Sequence, residues 1–169
     1  MERDLLVRAN SGDREAFELI VAAKGEPLFR TALAILGNEA DARDAVQETF
    51  VGSWQQFGRL RDLDRFDAWI GRILINECRM ALRHRRRVRE VPISDSPSDS
   101  PVAAPAPDLT DFDQAFNRLS VDQRSILVLH HLHGYGVREI GGWLGIPTGT
   151  VKWRLSRARA ALAAELADS

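Results

Sequence analysis

Apolar residues recur every three or four positions along most of the chain, which is the period of an amphipathic α-helix. Before residue 91 this pattern predicts helices over 3–9, 14–23, 27–36, 39–57 and 66–87. Later in the chain it predicts helices over 109–119, 121–133, 137–144 and 148–166. The alternation expected of a β-strand is not convincing anywhere. The sequence therefore predicts an all-α protein.

One segment interrupts the helical pattern. Residues 92–107 hold five of the seven prolines, interleaved with Ser, Asp and Ala. Because such a composition cannot bury a core, we expect it to stay extended or disordered. The sequence thus predicts two small helical domains, 1–90 and 111–169, joined by a flexible linker over 91–110. A linker of that length spans at most roughly 66 Å, so the domains could reach sites several helical turns apart on DNA.

The overall charge hides a segregation. The 23 basic and 24 acidic residues nearly cancel, but acids cluster near 39–48 and bases near 79–89, which implies two kinds of partner. Cys78 is the only cysteine, so a disulfide framework and a cysteine-based zinc site are excluded, and we expect it to be buried. With no apolar run of membrane-spanning length and an acidic start unlike a signal peptide, we expect a cytoplasmic protein without membrane insertion.

The segment 145–159 predicts the turn and second helix of a helix-turn-helix. Gly145 can take the left-handed conformation that ends the preceding helix, Pro147 leads into the next, and Thr148 or Thr150 can cap it. The inward face of the second helix is apolar, whereas its other faces are basic and carry no acid before Glu165. The outward and flanking positions include Lys152, Trp153, Arg154 and Arg157. On charge alone this pattern fits either binding to a phosphate backbone or the solvated cationic face of an ordinary helix.

Trp153 is unusual on such a helix, because it points away from the apolar seam. An indole in that position suggests a contact with a base edge, a thymine methyl or a partner protein.

The helix over 39–57 carries an acidic stripe. Its inward side holds Val46, Phe50, Trp54 and Phe57, and the opposite side holds Asp41, Asp44 and Glu48. Carboxylates at this spacing repel one another. The stripe is either a docking surface for a cationic partner or a solvated amphipathic face.

The next helix carries a basic stripe at spacings of four, three, four and three, formed by Arg72, Asn76, Arg79, Arg83 and Arg86. Guanidinium and amide groups in a line pair with phosphates and base edges, so the stripe predicts nucleic-acid contact. Nearby, Phe57, Phe66 and Trp69 either receive an unstacked base or belong to the core. Glu77 falls on the apolar side, where pairing with an arginine would explain it.

Three segments together resemble the extracytoplasmic-function (ECF) sigma factors of bacterial RNA polymerase. They are Asp41-Ala-Arg-Asp-Ala-Val-Gln-Glu-Thr-Phe50, the stretch from Ala68-Trp-Ile-Gly-Arg-Ile-Leu-Ile-Asn76 to Arg87, and the stretch from Leu119-Ser-Val-Asp-Gln-Arg124 to Ala161. The resemblance covers nearly the whole chain outside the linker.

The resemblance implies a role for each surface. Asp41, Asp44, Gln47 and Glu48 would dock on the clamp of the polymerase β′ subunit. The basic stripe would hold the minus-ten element, with Asn76 and the neighbouring loop capturing a flipped base. Thr150, Lys152, Trp153, Arg154 and Arg157 would engage the minus-thirty-five element. The resemblance also implies a contact with the β flap and an anti-sigma partner, with no cofactor.

Two positions depart from the family pattern. The family usually carries a small residue where Trp153 stands and an alanine where Gly141 stands, so we expect an unusual minus-thirty-five sequence. Gly141 and Gly142 should also loosen the first helix of the motif by about 1 kcal/mol each relative to alanine.

Two other functions compete with this interpretation. A stand-alone helix-turn-helix regulator shares the C-terminal motif but leaves both stripes of the first domain without a role. An enzyme would need a site, and the one histidine cluster, His130, His131 and His133, has spacings that favour surface or capping roles over a metal site. A glycine-rich phosphate loop is also missing. We therefore expect a protein that is not an enzyme and holds no metal.

Overall fold

The computed structural model describes residues 2–90 and 110–168, and these residues are helical without a strand. The first domain contains α1 (Glu2–Asn10), α2 (Arg14–Leu36), α3 (Glu39–Gln56) and α4 (Phe66–Glu90). The second contains α5 (Asp111–Arg118), α6 (Val121–Leu127), α7 (Val137–Leu144) and α8 (Thr148–Ala167). The predicted all-α class with two helical domains is confirmed. The predicted linker lies outside the described residues except for Thr110, which caps α5.

The predicted break between residues 23 and 27 is wrong, because α2 continues through Pro27. A proline inside a helix removes one hydrogen bond and costs about 3 kcal/mol. Both halves of α2 nevertheless bury apolar side chains in the same core, including Ile20 before the proline and Leu28 and Ile35 after it. We infer that this shared burial offsets the loss.

The helix predicted over 121–133 is also revised. It is α-helical only to Leu127 and continues as a π-helical turn over Val128–Leu132. The turn widens the helix where it passes into the loop before α7, and the His133 N–H donates to the Val128 carbonyl. A single π-helical turn hardly changes the spacing of apolar residues along the sequence, so the helical period does not predict it.

The helix-turn-helix is formed as the sequence predicts, except at its cap. Gly145 has φ +67° and ends α7 in the left-handed conformation. Pro147 is the N-cap of α8, so no side chain caps that helix, and the predicted threonine cap is wrong. Gly141 does more than loosen α7: a Cβ there would lie 2.8 Å from the Ile146 carbonyl oxygen, so the tight turn requires a glycine.

The two domains pack against each other and share one continuous core. The largest contact is between α4 and α7, where Trp143 of α7 lies over Gly71 of α4. A Cβ at Gly71 would overlap the Trp143 indole, so the close approach of the two helices depends on that missing side chain. Next to Trp143, a Cβ at Gly142 would lie 3.1 Å from the Cβ of Ala68, which is one turn before Gly71 on α4. Small residues therefore set the distance between the domains.

A hydrogen bond between Thr31 Oγ1 of α2 and His133 Nε2 of the second domain, 3.1 Å apart, also joins the domains. The Thr31 hydroxyl also donates to the Pro27 carbonyl, so it is an acceptor toward the imidazole. Burial lowers the pKa of His133, which therefore contacts Thr31 as a neutral ring.

We predict that Gly71→Ala separates the domains or lowers the free energy of unfolding by about 2 kcal/mol, because the added methyl group must displace the Trp143 indole. Urea denaturation and the radius of gyration from small-angle scattering measure the two effects. Gly52→Ala is the matched control: its Cβ would meet only atoms 3.9 Å away, so this change should stabilise α3 by roughly 0.5–1 kcal/mol. Equal effects of the two substitutions would contradict the role of Gly71.

Candidate nucleic-acid interface

The acidic stripe lies on a firmly anchored helix. The Asn38 side chain caps α3 by accepting a hydrogen bond of 2.9 Å from the Asp41 N–H, and Ala42, Ala45 and Val46 bury the inward face. Asp44, Gln47 and Glu48 are exposed on the opposite face. The helix therefore presents two carboxylates and one amide to solvent in a fixed spacing.

Asp41 differs from the rest of the stripe. It is half-buried and forms an ion pair with Arg85 of α4. The Arg85 guanidinium also donates to the Leu36 carbonyl at the end of α2, with a distance of 3.3 Å. Asp41 thus joins α3 to α4, and the carboxylates left for a partner are those of Asp44 and Glu48.

Among residues 2–90 and 110–168, Glu77 forms no ion pair with an arginine, contrary to expectation. Burial raises its pKa, and the nearby charge of Glu48 raises it further. The two carboxylates place negative charge where α3 and α4 meet, and α4 therefore carries charges of both signs.

The basic stripe follows α4, with Asn76, Arg83 and Arg86 exposed. Arg79 is held between the domains: its Nη1 donates to the Asn76 side chain at 2.8 Å, and its Nε pairs with the Asp122 carboxylate at 2.8 Å. A residue predicted to bind DNA is thus already bound to the second domain.

Arg72, at the other end of the stripe, also meets the second domain. Its guanidinium packs against Gly145, where a Cβ would come within 2.9 Å of it, and lies 3.5 Å from the Gly142 carbonyl oxygen. Two of the five stripe residues therefore contact the second domain in this arrangement: Arg72 at the turn of the helix-turn-helix and Arg79 at α6.

The aromatic residues near the loop at 58–65 belong mainly to the core. Phe57 and Phe66 are each 2% exposed. Half-buried Trp69 packs edge-on against Phe57 with ring centroids 5.7 Å apart. The core interpretation is confirmed for the two phenylalanines, which have no face free to stack on a base.

The recognition helix α8 presents its basic side as predicted. Val151, Leu155 and Ala158 are buried, whereas Lys152, Trp153 and Arg157 are exposed. Trp153 is 59% exposed, and the Arg157 guanidinium lies over its ring, 5.0 Å from the centroid. Thr150 and Arg154 are half-buried on the flanks. The indole and the guanidinium form one stacked surface that faces away from the core.

The histidines have structural partners. His130 Nδ1 lies 3.1 Å from the Tyr135 carbonyl, and the Arg159 Nε donates to His131 Nε2 at 3.1 Å. In residues 2–90 and 110–168, the His, Cys, Asp and Glu side chains form no group of three that could hold a metal ion. The helices of the same ranges include none that is long and apolar enough to span a bilayer.

Cys78 is fully buried in α4, as predicted. Burial, followed by the charge of Glu77, raises the pKa of its thiol to about 12. The thiol is therefore protonated and inert at neutral pH.

Two family models match this chain: Sigma-70 region 2 over residues 20–88, and Sigma-70, region 4 over residues 109–162. The ECF RNA polymerase sigma factor SigM of Mycobacterium tuberculosis is 30% identical over 96% of this chain and 83% of its own length. The RNA polymerase sigma factor CnrH of Cupriavidus metallidurans is 32% identical over 99% of this chain and 96% of its own. The chain belongs to the ECF sigma factors.

Two solved sigma factors have a similar fold. CnrH in complex with the cytosolic domain of CnrY is 33% identical and covers 99% of both chains with a TM-score of 0.73. Bartonella quintana RpoE, in complex with the anti-sigma factor NepR, is 29% identical with a TM-score of 0.65, covering 89% of this chain and 96% of its own. A score this high over 99% of both chains requires both domains to superpose together, so the relative placement of the two domains resembles that in the CnrH complex.

Three residues of the domain contact were missed in the sequence. Trp143 has the ordinary spacing of a core residue on α7, Gly71 looks like a chance helical glycine, and Asp122 looks like a first-turn acid of α6. All three residues hold the two domains together, and this role is seen only in the contact between the domains. The spacing of apolar residues within one helix does not indicate which residues of that helix contact the other domain.

We predict that Asp41→Asn lowers the free energy of unfolding of this sigma factor by roughly 1 kcal/mol, because it removes the charge that holds Arg85. Asp44→Asn, on the same helix but exposed, should change stability by less than about 0.5 kcal/mol. Urea denaturation of both variants measures the difference. If Asp44→Asn is the more destabilising, the pairing of Asp41 with Arg85 does not support the fold.

Proposed function

We propose that this sigma factor binds core RNA polymerase, directs it to specific promoters and helps to melt the minus-ten element. The observation that carries the proposal is the division of charge among three surfaces: an acidic face on α3, a basic face on α4 and a basic recognition helix α8. A stand-alone helix-turn-helix regulator would need only the last of these.

Each surface has its own partner in this proposal. Residues 1–90 bind polymerase and the minus-ten element, residues 111–169 bind the minus-thirty-five element, and residues 91–110 connect them. Asp44, Gln47 and Glu48 dock on the β′ clamp, with Asp41 holding their helix through Arg85. The second domain contacts the β flap. RNA synthesis belongs to the polymerase, and the chain acts in the cytoplasm, where its DNA and polymerase lie.

Promoter contacts follow from the faces described above. The minus-ten strand meets Arg72, Asn76, Arg79, Arg83 and Arg86, and the minus-thirty-five groove meets Thr150, Lys152, Trp153, Arg154 and Arg157. Because Arg72 and Arg79 contact the second domain, the domains must separate before these two arginines bind DNA. An anti-sigma factor that binds both domains would oppose this step, and two structurally similar sigma factors, CnrH and RpoE, are solved in complex with the cytosolic domain of CnrY and with the anti-sigma factor NepR.

The first test concerns polymerase. The double variant Asp44→Ala, Glu48→Ala should weaken binding to core polymerase by about tenfold or more, because two exposed carboxylates lose their cationic partners. Glu18→Ala, which removes an exposed carboxylate from α2, is the control and should bind normally. A pull-down with core polymerase measures both. Failure of the unaltered chain to bind core polymerase would leave the stand-alone regulator as the better function.

The second test concerns the promoter. Asn76→Ala should abolish open-complex formation while duplex binding is retained, because a flipped base loses its amide contact. Arg157→Ala should instead weaken duplex binding, with the salt slope reduced by about one if it contacts phosphate. Permanganate footprinting and binding at several salt concentrations separate the two. Normal melting by Asn76→Ala would refute the flipped-base role.

A further inference from the structure

A cationic cleft of about 510 Å³ lies where the C-terminal half of α4 meets α5 and α6. Of the residues that the structure describes, five arginines from both domains and one carboxylate, that of Asp122, line it; the arginines are Arg79, Arg83, Arg85, Arg86 and Arg124. Four of the five belong to α4, and Arg124 belongs to the second domain. The cleft therefore exists only while the two domains are packed together.

The positive charge of the cleft is not balanced by the residues that the structure describes. Asp122 neutralises Arg79, and Asp41 of α3 neutralises Arg85. The other three guanidiniums, those of Arg83, Arg86 and Arg124, have no carboxylate partner within residues 2–90 and 110–168. Since arginine stays charged at any physiological pH, about three positive charges without a carboxylate partner in the described ranges line this cleft.

Arg124 is the most constrained of the three. It is 6% exposed, and its Nη1 donates to the Ile35 carbonyl at 2.8 Å and to the Asn117 side chain at 3.4 Å. Its Nε is buried and has no hydrogen-bond partner in the described chain. Burial, and after it the charges of Arg85 and Arg86, lower its pKa. A buried guanidinium with a spare donor in a cationic cleft is unfavourable unless an anion completes it.

We propose that this cleft is a binding site for a compact polyphosphate, either inorganic or the polyphosphate chain of a nucleotide. Guanidinium groups form paired hydrogen bonds with phosphate oxygens, and two or more phosphates supply the negative charge that the cleft lacks. Arg83 and Arg86 hold the anion from the first domain and Arg124 holds it from the second. The ligand therefore bridges the domains and stabilises their packed arrangement.

The site also has a consequence that rests on the proposed function. Arg79, Arg83 and Arg86 belong to the surface proposed for the minus-ten element. A polyphosphate in the cleft occupies the same guanidiniums and keeps Arg79 beside Asp122. Bound anion and promoter DNA therefore exclude each other, and the concentration of the anion sets how much of the chain is free to bind promoters.

Calorimetric titration of the full chain with pyrophosphate and with tripolyphosphate tests the site, at fixed ionic strength. We expect one ligand per chain, with orthophosphate and sulfate binding at least about tenfold more weakly because each supplies fewer paired contacts. Nucleoside diphosphates and triphosphates form a second arm: tighter binding than that of the inorganic anions identifies a nucleotide as the ligand, and equal binding identifies the polyphosphate alone.

Variants decide whether the cleft itself binds the anion. Arg86→Gln should weaken pyrophosphate binding by about tenfold, whereas Arg87→Gln, an exposed neighbour outside the cleft, should weaken it by less than about twofold. Asn117→Asp places a carboxylate inside the cleft at nearly the same size and should abolish binding. Arg124→Gln is not used as a test, because loss of this buried side chain could itself separate the domains. Arg83→Gln and Asn117→Asp test the cleft without removing Arg124.

Several outcomes overturn the proposal. It is wrong if pyrophosphate does not bind at millimolar concentration, or if Arg86→Gln and Arg87→Gln weaken binding equally, which indicates non-specific attraction. It is also wrong if only long polyanions such as heparin bind, or if binding appears only after Asp95, Asp99 and Asp108 are changed to Asn, since the chain's own acids would then fill the site. None of these results depends on polymerase binding, which the Asp44 and Glu48 variants test separately.

Discussion

The structure depends on the contact between Trp143 and the bare backbone of Gly71. Because α4 has no side chain at this point, the indole of α7 lies directly over the helix and the two domains share a core. The contacts around it follow from that distance: Thr31 reaches His133, Arg72 reaches the turn at Gly145, and Arg79 reaches Asp122. A larger residue at position 71 would have to displace the Trp143 indole, and these polar contacts would be strained or lost.

The packing of Trp143 on Gly71 also brings arginines of both domains to the C-terminal end of α2. At the C-terminal end of α2, backbone carbonyls accept hydrogen bonds from one arginine of each domain. Arg85 donates to the Leu36 carbonyl, and Arg124 donates to the Ile35 carbonyl. Free carbonyls at a helix end attract cations, so this end of α2 draws both guanidiniums toward the same place. Positive charge is therefore concentrated at the domain boundary. Part of the basic stripe, Arg72 and Arg79, contacts the second domain and is not free to bind DNA.

Most of the local structure could be predicted from the sequence. The helical period, the turn at Gly145 and the outward direction of Trp153 are properties of short segments, and they appear where expected. Pro27 was misjudged because its local penalty is outweighed by burial of residues on both sides of it. The pairing of Asp41 with Arg85 and of Arg79 with Asp122 escaped prediction for a related reason. A charged residue on a helix face has the same sequence pattern whether its partner is water, DNA or another helix.

The state of Cys78 limits which signals this sigma factor can sense. It is the only cysteine of the sequence, and its buried thiol remains protonated because its pKa is about 12. Oxidants and electrophiles react with accessible thiolates, whereas the Cys78 side chain is a buried, protonated thiol. Thiol-directed oxidants and electrophiles therefore do not reach Cys78 in the folded chain. If a response to such stress passes through this sigma factor, the sensing chemistry must take place in another molecule that controls when its domains open.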